Sequence, residues 1–411
     1  MPGNNYQLKN CKILAGWFLF VFIACWPLKL FAADSIEYYN SLAEKAQPNA
    51  QIMWKRSGLG KNPSDIVFLP NHTMLLSLAD KILCIDEQGI VKWESKGTGS
   101  GKGGPLVWPG DTSVFAPGLG SVREIKVNGA SGWNLAVVPV AKGLKSPLLA
   151  GSSELLYLPV AEGLYALHTN GSIAWIMSPW ESADRYYLNT PTGRSFLTCA
   201  ADSNTFYVVM ADIKGGYQLK AVDKTGVSLW SFWLGDILGA QLEPDGQGNV
   251  YITCTAKPTK QSGSGNKASK LNTGSVYCIE RDGKRPLWQM NLKIKDSLSE
   301  PVLSSDGVLY CSTTNHLYAI NTGNGTLLWD DTLLDLVSAP CVDEQKNRLY
   351  AGTSKEALLA ISKQGRMIWS RKLEGAIQGR PYVRDGYLYV STQKGYLFKI
   401  KDVYDNGSKG E

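Results

Sequence analysis

Leu317-Tyr318-Ala319-Ile320, then the polar run Asn321-Thr322-Gly323-Asn324-Gly325, then an apolar segment ending in Trp329, is the stretch whose reading decides the fold. It spells a short strand, a tight turn and a second strand closed by a tryptophan. The same plan recurs in Ile82-Leu83-Cys84-Ile85-Asp86 to Trp93, Leu164-Tyr165-Ala166-Leu167 to Trp175, and Leu219-Lys220-Ala221-Val222-Asp223 to Trp230. It recurs again in Val276-Tyr277-Cys278-Ile279 to Trp288 and Leu358-Leu359-Ala360-Ile361 to Trp369. A glycine stands four residues before the tryptophan at Gly89, Gly171, Gly226, Gly325 and Gly365, and five before it at Gly283. Preceded by Asn, Asp, Gln or Thr, such glycines supply the positive φ that a tight hairpin requires.

Upstream of most copies lies a second hairpin. Its second strand carries Leu156-Tyr157, Phe206-Tyr207, Val250-Tyr251, Leu309-Tyr310, Leu349-Tyr350 or Leu388-Tyr389, and its first often follows a proline, at Pro105, Pro147, Pro301, Pro340 and Pro381. Each unit is therefore four antiparallel strands in about 40 residues, the size of a propeller blade. Trp54, Trp93, Trp133, Trp175, Trp230, Trp288, Trp329 and Trp369 count the blades, at spacings of 39, 40, 42, 55, 58, 41 and 40. After Trp369 the chain lays down three more strands without a tryptophan, and Gln51-Ile52-Met53-Trp54-Lys55 is a lone tryptophan-bearing strand with no blade before it. The two fragments complete one blade, so the expected fold is an all-β, eight-bladed propeller whose N-terminal strand pairs with the C-terminal blade. Such closure removes two open sheet edges.

The repeat resembles that of the pyrroloquinoline-quinone (PQQ) type family, whose motif runs Ala-x-Asp, a Gly turn, then Trp. Here it stands as Ala221-Val222-Asp223 to Gly226 and Trp230, and as Ala319-Ile320-Asn321 to Gly325 and Trp329. The resemblance covers roughly residues 48–404 and implies that each tryptophan docks between neighbouring blades, as a large amphipathic ring should. The family includes quinone-dependent dehydrogenases, which are similar to one another in an adjacent Cys-Cys pair beside the cofactor, a Ca²⁺ site and a catalytic Asp. This chain has no adjacent cysteines. That places it nearer the non-enzymatic, BamB-like relatives, which are binding scaffolds of outer-membrane assembly.

Residues 1–33 read as an export signal: Lys9 and Lys12 precede the apolar run Ile13 to Trp26, and Phe31-Ala32-Ala33 offers a cleavage site before Asp34. A retained anchor and a lipidated Cys25 are the alternatives. Residues 34–47, with Ile36, Tyr39, Leu42, Ala43 and Ala46 at helical spacing, read as a short amphipathic helix; 48–404 is the propeller and 405–411 a flexible tail. The formal charge is +6, of which Lys9, Lys12 and Lys29 in the leader supply three, leaving +3. That is too little to argue for nucleic acid. Cys84, Cys199, Cys254, Cys278, Cys311 and Cys341 fall within expected strands without CxxC spacing and read as small buried hydrophobes.

No catalytic constellation emerges. His72, His168 and His316 are scattered among separate blades, so spacing supports no metal site. Gly99-Ser100-Gly101-Lys102-Gly103-Gly104 matches GxGxxG, but Pro105 and a β-rich segment follow where a dinucleotide site needs a helix. Lys257 to Thr273 reads as a basic loop inserted between the second and third strands of blade five, and Ser178 to Arg194 as an insertion bearing Trp180, Arg185, Tyr186 and Tyr187.

A propeller's natural binding surface is the mouth of its channel, where innermost strands begin. The residues nominated there are Asp65, Lys102, Lys145, Arg194, Gln241, Glu300 and Arg380. The expected protein is an exported, monomeric, non-catalytic scaffold without cofactor that binds an envelope protein or a ligand. It belongs in the periplasm or at the outer membrane or cell surface, with membrane association if the leader is retained. The alternative is a PQQ-dependent dehydrogenase with an atypical pocket, and a third reading is a glycan binder using Trp108, Trp180 and Trp233.

Overall fold

The computed structural model describes residues 49–60, 63, 66–69, 71–78, 80–96, 106–107, 113–118, 121–136, 149–150, 155–160, 163–177, 196–202, 204–212, 215–256, 272–283, 285–333 and 335–403. The expected leader, N-terminal helix and tail lie outside them, as do both long insertions apart from Asn272 and Thr273.

Among the described residues are eight four-stranded antiparallel sheets. Blades one to seven follow the chain, each laid from the channel outward. Their innermost strands are Ile66–Phe68, Leu106–Val107, Leu149–Ala150, Phe196–Ala201, Ile237–Pro244, Val302–Leu303 and Cys341–Asp343. Blade eight is shared: Tyr382–Arg384, Tyr387–Ser391 and Leu397–Asp402 come from the C-terminal side, and Ala50–Arg56 supplies the outermost strand. Ala50 pairs with Asp402, Ile52 with Ile400 and Arg56 with Leu397. The amide of Val403 adds a bond to the Asn49 carbonyl at 2.7 Å.

The second strands are largely apolar and buried, as sheets covered on both faces demand. Met74–Ser77, Thr205–Ala211, Val250–Ala256 and Arg348–Gly352 are buried almost throughout. Outermost strands alternate exposed and half-buried residues, as in Leu327–Thr332. In all eight blades the pairing of third and fourth strands slips just before the tryptophan, for example between Ala319 and Ile320, and in blade eight between Ile52 and Trp54. This bulge bends the strand and re-aims the indole toward the next blade.

Seven indoles donate across the blade boundary to a carbonyl in the next blade's outer hairpin. The pairs are Trp54–Glu87, Trp93–Val127, Trp133–Thr169, Trp175–Lys224, Trp230–Arg281, Trp288–Thr322 and Trp329–Lys363, at 2.7–3.0 Å. The hairpin glycine lies on the indole face. A Cβ at Gly325, where φ is +71°, would come within 2.6 Å of Trp288. In blades three to eight the indole packs on the second-strand tyrosine, as in Tyr207–Trp230 and Tyr310–Trp329 at 6.0 Å between ring centroids, and in blade two on Phe115.

The eighth latch differs. Trp369 is buried, but its Nε1 has no hydrogen-bond partner. Its acceptor would lie in an outer hairpin of blade eight, and that blade's third and fourth strands come from opposite ends of the chain, so no hairpin joins them. Asp402 occupies the place instead, and its carbonyl accepts from Lys346 Nζ. The buried Asp402 carboxylate pairs with Arg348 of blade seven and accepts from Tyr350 Oη at 2.6 Å. Charge thus holds the seam where the indole bond is missing.

Candidate channel-mouth site

Strand register defines levels down the channel. Ala200, Glu243, Val302, Cys341 and Tyr382 each stand opposite the second-strand tyrosine of their own blade. Two residues earlier, on the same face and nearer the mouth, come Thr198, Gln241, Glu300, Ala339 and Arg380 in blades four to eight. Asp65, Lys102, Lys145 and Arg194 lie outside the described residues. Gln241 is not at a strand start, because the innermost strand of blade five is long and pairs continuously from Pro244 back to Gly239. Thr198 of blade four shares its level.

Lead-in segments are fixed by hydroxyl latches between and within blades. Thr253 Oγ1 donates to the Ser299 carbonyl at 2.7 Å, Ser312 Oγ to the Ser338 carbonyl at 3.0 Å, and Ser391 Oγ to the Gln378 carbonyl at 3.0 Å. These bonds hold the nominated side chains on a rigid rim. Thr198 Oγ1 donates to Gln241 Oε1 at 3.4 Å, joining blades four and five. Arg380 Nη1 approaches Glu300 Oε2 at 3.9 Å, joining blades eight and six. It spans blade seven, where the residue on that level is Ala339, whose methyl is too small to stand between them. The Arg380 guanidinium also lies 5.7 Å from the centroid of the Tyr382 ring.

Glu243 is the site residue that sequence reasoning missed. It stands one level deeper, where the other blades carry Val67, Leu106, Leu149, Ala200, Val302, Cys341 and Tyr382. Burial first and the Glu300 carboxylate second, opposed by Arg380, raise its carboxyl from 4.5 to about 7. The three charged groups therefore share one patch of wall. A glutamate among apolar equivalents was the available signal, but blade five lacks the proline that marks the innermost strand in blades two, three, six, seven and eight. On the same level the Cys341 thiol is raised by burial and lowered by Arg380.

Chemically, the patch offers two carboxylates, one guanidinium and an amide on a half-buried wall. It suits a hydrogen-bonding or cationic group presented into the mouth. Trp233 lies far from this wall, 53% exposed on the outermost strand of blade four, and Trp108 and Trp180 lie outside the described residues. His168 closes the third strand of blade three, and His316 opens that of blade six and stacks on Tyr318.

An eight-bladed ring with one indole per blade, seven of them bonded across the blade boundary, defines the class. Its repeat resembles that of the PQQ-type β-propellers. Residues 272–346 and 342–403 match the family model described as outer membrane protein assembly factor BamB. No curated protein matches the chain in sequence. Among solved structures it is similar to BamB from Moraxella catarrhalis, at 16% identity over 88% of this chain and 99% of that one, with a TM-score of 0.63. It is also similar to a quinohemoprotein alcohol dehydrogenase from Pseudomonas putida HK5, at 11% identity over 90% and 78%, TM-score 0.62. A computationally designed protein, Ika8, aligns at 12% identity over 85% and 99%, TM-score 0.65. Likeness at these identities speaks for the fold alone.

Proposed function

We propose that this chain is an exported, non-catalytic scaffold of the cell envelope that holds a partner protein at the channel mouth, in a role like that of the BamB assembly factors. The match of residues 272–403 to the BamB family description carries this reading. Those residues include Glu300, Arg380 and the Ser391–Gln378 latch beside Arg380. A rigid rim with an arginine–glutamate pair and a glutamate below it suits a basic or amide-bearing loop of a partner.

The test is affinity capture of the full-length exported protein from solubilised envelopes, wild type beside Glu300→Ala/Arg380→Ala. Recovery of outer-membrane β-barrel assembly proteins by the wild type, and their loss with the double variant, is expected. Equal recovery by both would remove the mouth from the reading. Recovery of no envelope protein would remove the scaffold role. The dehydrogenase neighbours motivate a parallel arm: a spectral change and dye-linked alcohol oxidation on adding PQQ and Ca²⁺ would replace the scaffold reading with an enzymatic one.

A further inference from the structure

At the junction of blades six and seven, three hairpins converge on an internal cation. Lys363 Nζ lies 3.0 Å from Asp306 Oδ2, 2.6 Å from Glu344 Oε2 and 2.8 Å from Ser304 Oγ. Asp306 comes from the first hairpin of blade six, Glu344 from the first hairpin of blade seven, and Lys363 from the outer hairpin of blade seven. At the ring's closure, between blades eight and one, the same three corners hold Asp385, His72 and Glu87. Glu87 is the repeat equivalent of Lys363, since each lends its carbonyl to the tryptophan of the preceding blade. The corner that carries a cation in one junction therefore carries a carboxylate in the other.

His72 Nδ1 lies 3.2 Å from Glu87 Oε1 and 3.9 Å from Asp385 Oδ2. One ligand atom from each of the three residues can be chosen so that all lie within 4.8 Å of one another. Arg384 Nε touches Asp385 Oδ2 at 3.5 Å, but its guanidinium also donates to the Leu69 carbonyl at 3.0 Å and lies over Phe68 at 4.9 Å. Among the described residues Glu87 has no ion-pair partner besides His72. The two carboxylates and one imidazole resemble the Lys363 cluster with its cation removed.

We propose that His72, Glu87 and Asp385 bind a divalent transition-metal ion of the Zn²⁺ class, which clips the first blade to the last. Donor chemistry selects the class. An imidazole nitrogen with two carboxylate oxygens suits Zn²⁺, whereas Ca²⁺ takes six to eight oxygens and Mg²⁺ keeps its waters. Ligands about 2.0–2.2 Å from Zn²⁺ in a tetrahedron stand roughly 3.3–3.5 Å apart, close to the separations from His72. All three residues sit on hairpin tips and leave the fourth position open to solvent. His72 also stands at φ +63°, in the left-handed place that Gly307 fills in the first hairpin of blade six.

The test uses tag-free protein, titrated calorimetrically with ZnCl₂ and melted with and without it. One equivalent is expected to bind and to raise Tm, with no such effect from CaCl₂. His72→Ala, Glu87→Gln and Asp385→Asn should each weaken Zn²⁺ binding at least tenfold, while His316→Ala leaves it unchanged. Glu87→Lys should abolish binding yet melt no lower than metal-free wild type, because it rebuilds the internal cation of the Lys363 cluster. Circular dichroism checks that the variants fold. Absence of Zn²⁺ binding below millimolar concentration, or binding undiminished in His72→Ala/Glu87→Gln, would overturn the site. Binding indifferent to Asp385→Asn would overturn the clip between blades.

Discussion

Replacing Glu243 by glutamine should stabilise the protein in alkali and leave it nearly unchanged in acid. In the folded chain the carboxyl is held at about 7 against an ordinary 4.5, chiefly by burial and secondarily by Glu300. The native state therefore binds this proton more tightly than the unfolded chain. Stability from the group is full below pH 4.5 and is lost as pH rises toward 7 and beyond. A shift of that size corresponds to about 3 kcal/mol at about 1.4 kcal/mol per pKa unit, and partial solvent contact reduces it to roughly 1–3 kcal/mol. Glutamine keeps the shape and cannot ionise. Urea denaturation at pH 4.5 and pH 8 reads the difference. The variant should match wild type at pH 4.5 and exceed it by that margin at pH 8. Glu300→Gln should move the wild-type transition to lower pH, and Arg380→Gln to higher pH. A Glu243→Gln effect equal at both pH values, or destabilising at pH 8, would refute the electrostatic reading of the wall.

Three further outcomes concern the latches. Trp329→Phe should cost about 1 kcal/mol more than Trp369→Phe in thermal or urea melts, because only the first loses an indole–carbonyl bond. Gly325→Ala should lower Tm well beyond Gly246→Ala. Both residues have positive φ, but a Cβ at Gly325 strikes Trp288 whereas one at Gly246 meets nothing within 4 Å. Asp402→Ala breaks the buried ion pair with Arg348 and should cost about 3–5 kcal/mol, measured as the shift in urea midpoint; Arg348→Met/Asp402→Leu should recover most of that loss.

Much of the ring was legible because the repeat states it many times. Trp54, isolated near one end of the chain, could be assigned to the last blade since seven other tryptophans had already set the period. Glu300 and Arg380 were legible through Pro301 and Pro381, which mark where innermost strands begin. Glu243 was not, because blade five carries no such proline and its long innermost strand hides which residue faces the tyrosine. His72, Glu87 and Asp385 were illegible for another reason. Their proximity is made by closing the ring, and spacing along a chain carries no trace of a contact between its first and last blades. Trp369 shows the converse: the sequence presents it as equivalent to the other seven, and only the break in blade eight removes its acceptor.

The two ends of the blades carry different kinds of residue, and this bears on where a partner would be read. At the hairpin end the parts repeat: an indole, a backbone acceptor, a glycine under the ring. Repetition is what a latch needs, since every blade boundary poses the same packing problem. At the opposite end the equivalent positions are Thr198, Gln241, Glu300, Ala339 and Arg380, no two alike. A ring held together at one end gains nothing in stability from such variety at the other. Variety is instead what breaks the eightfold symmetry of the channel, and a channel must be asymmetric to hold an asymmetric partner in one orientation. The Arg380–Glu300 contact across Ala339 makes one side of the mouth charged, with Glu243 beneath it. That side is where substitutions should separate binding from folding.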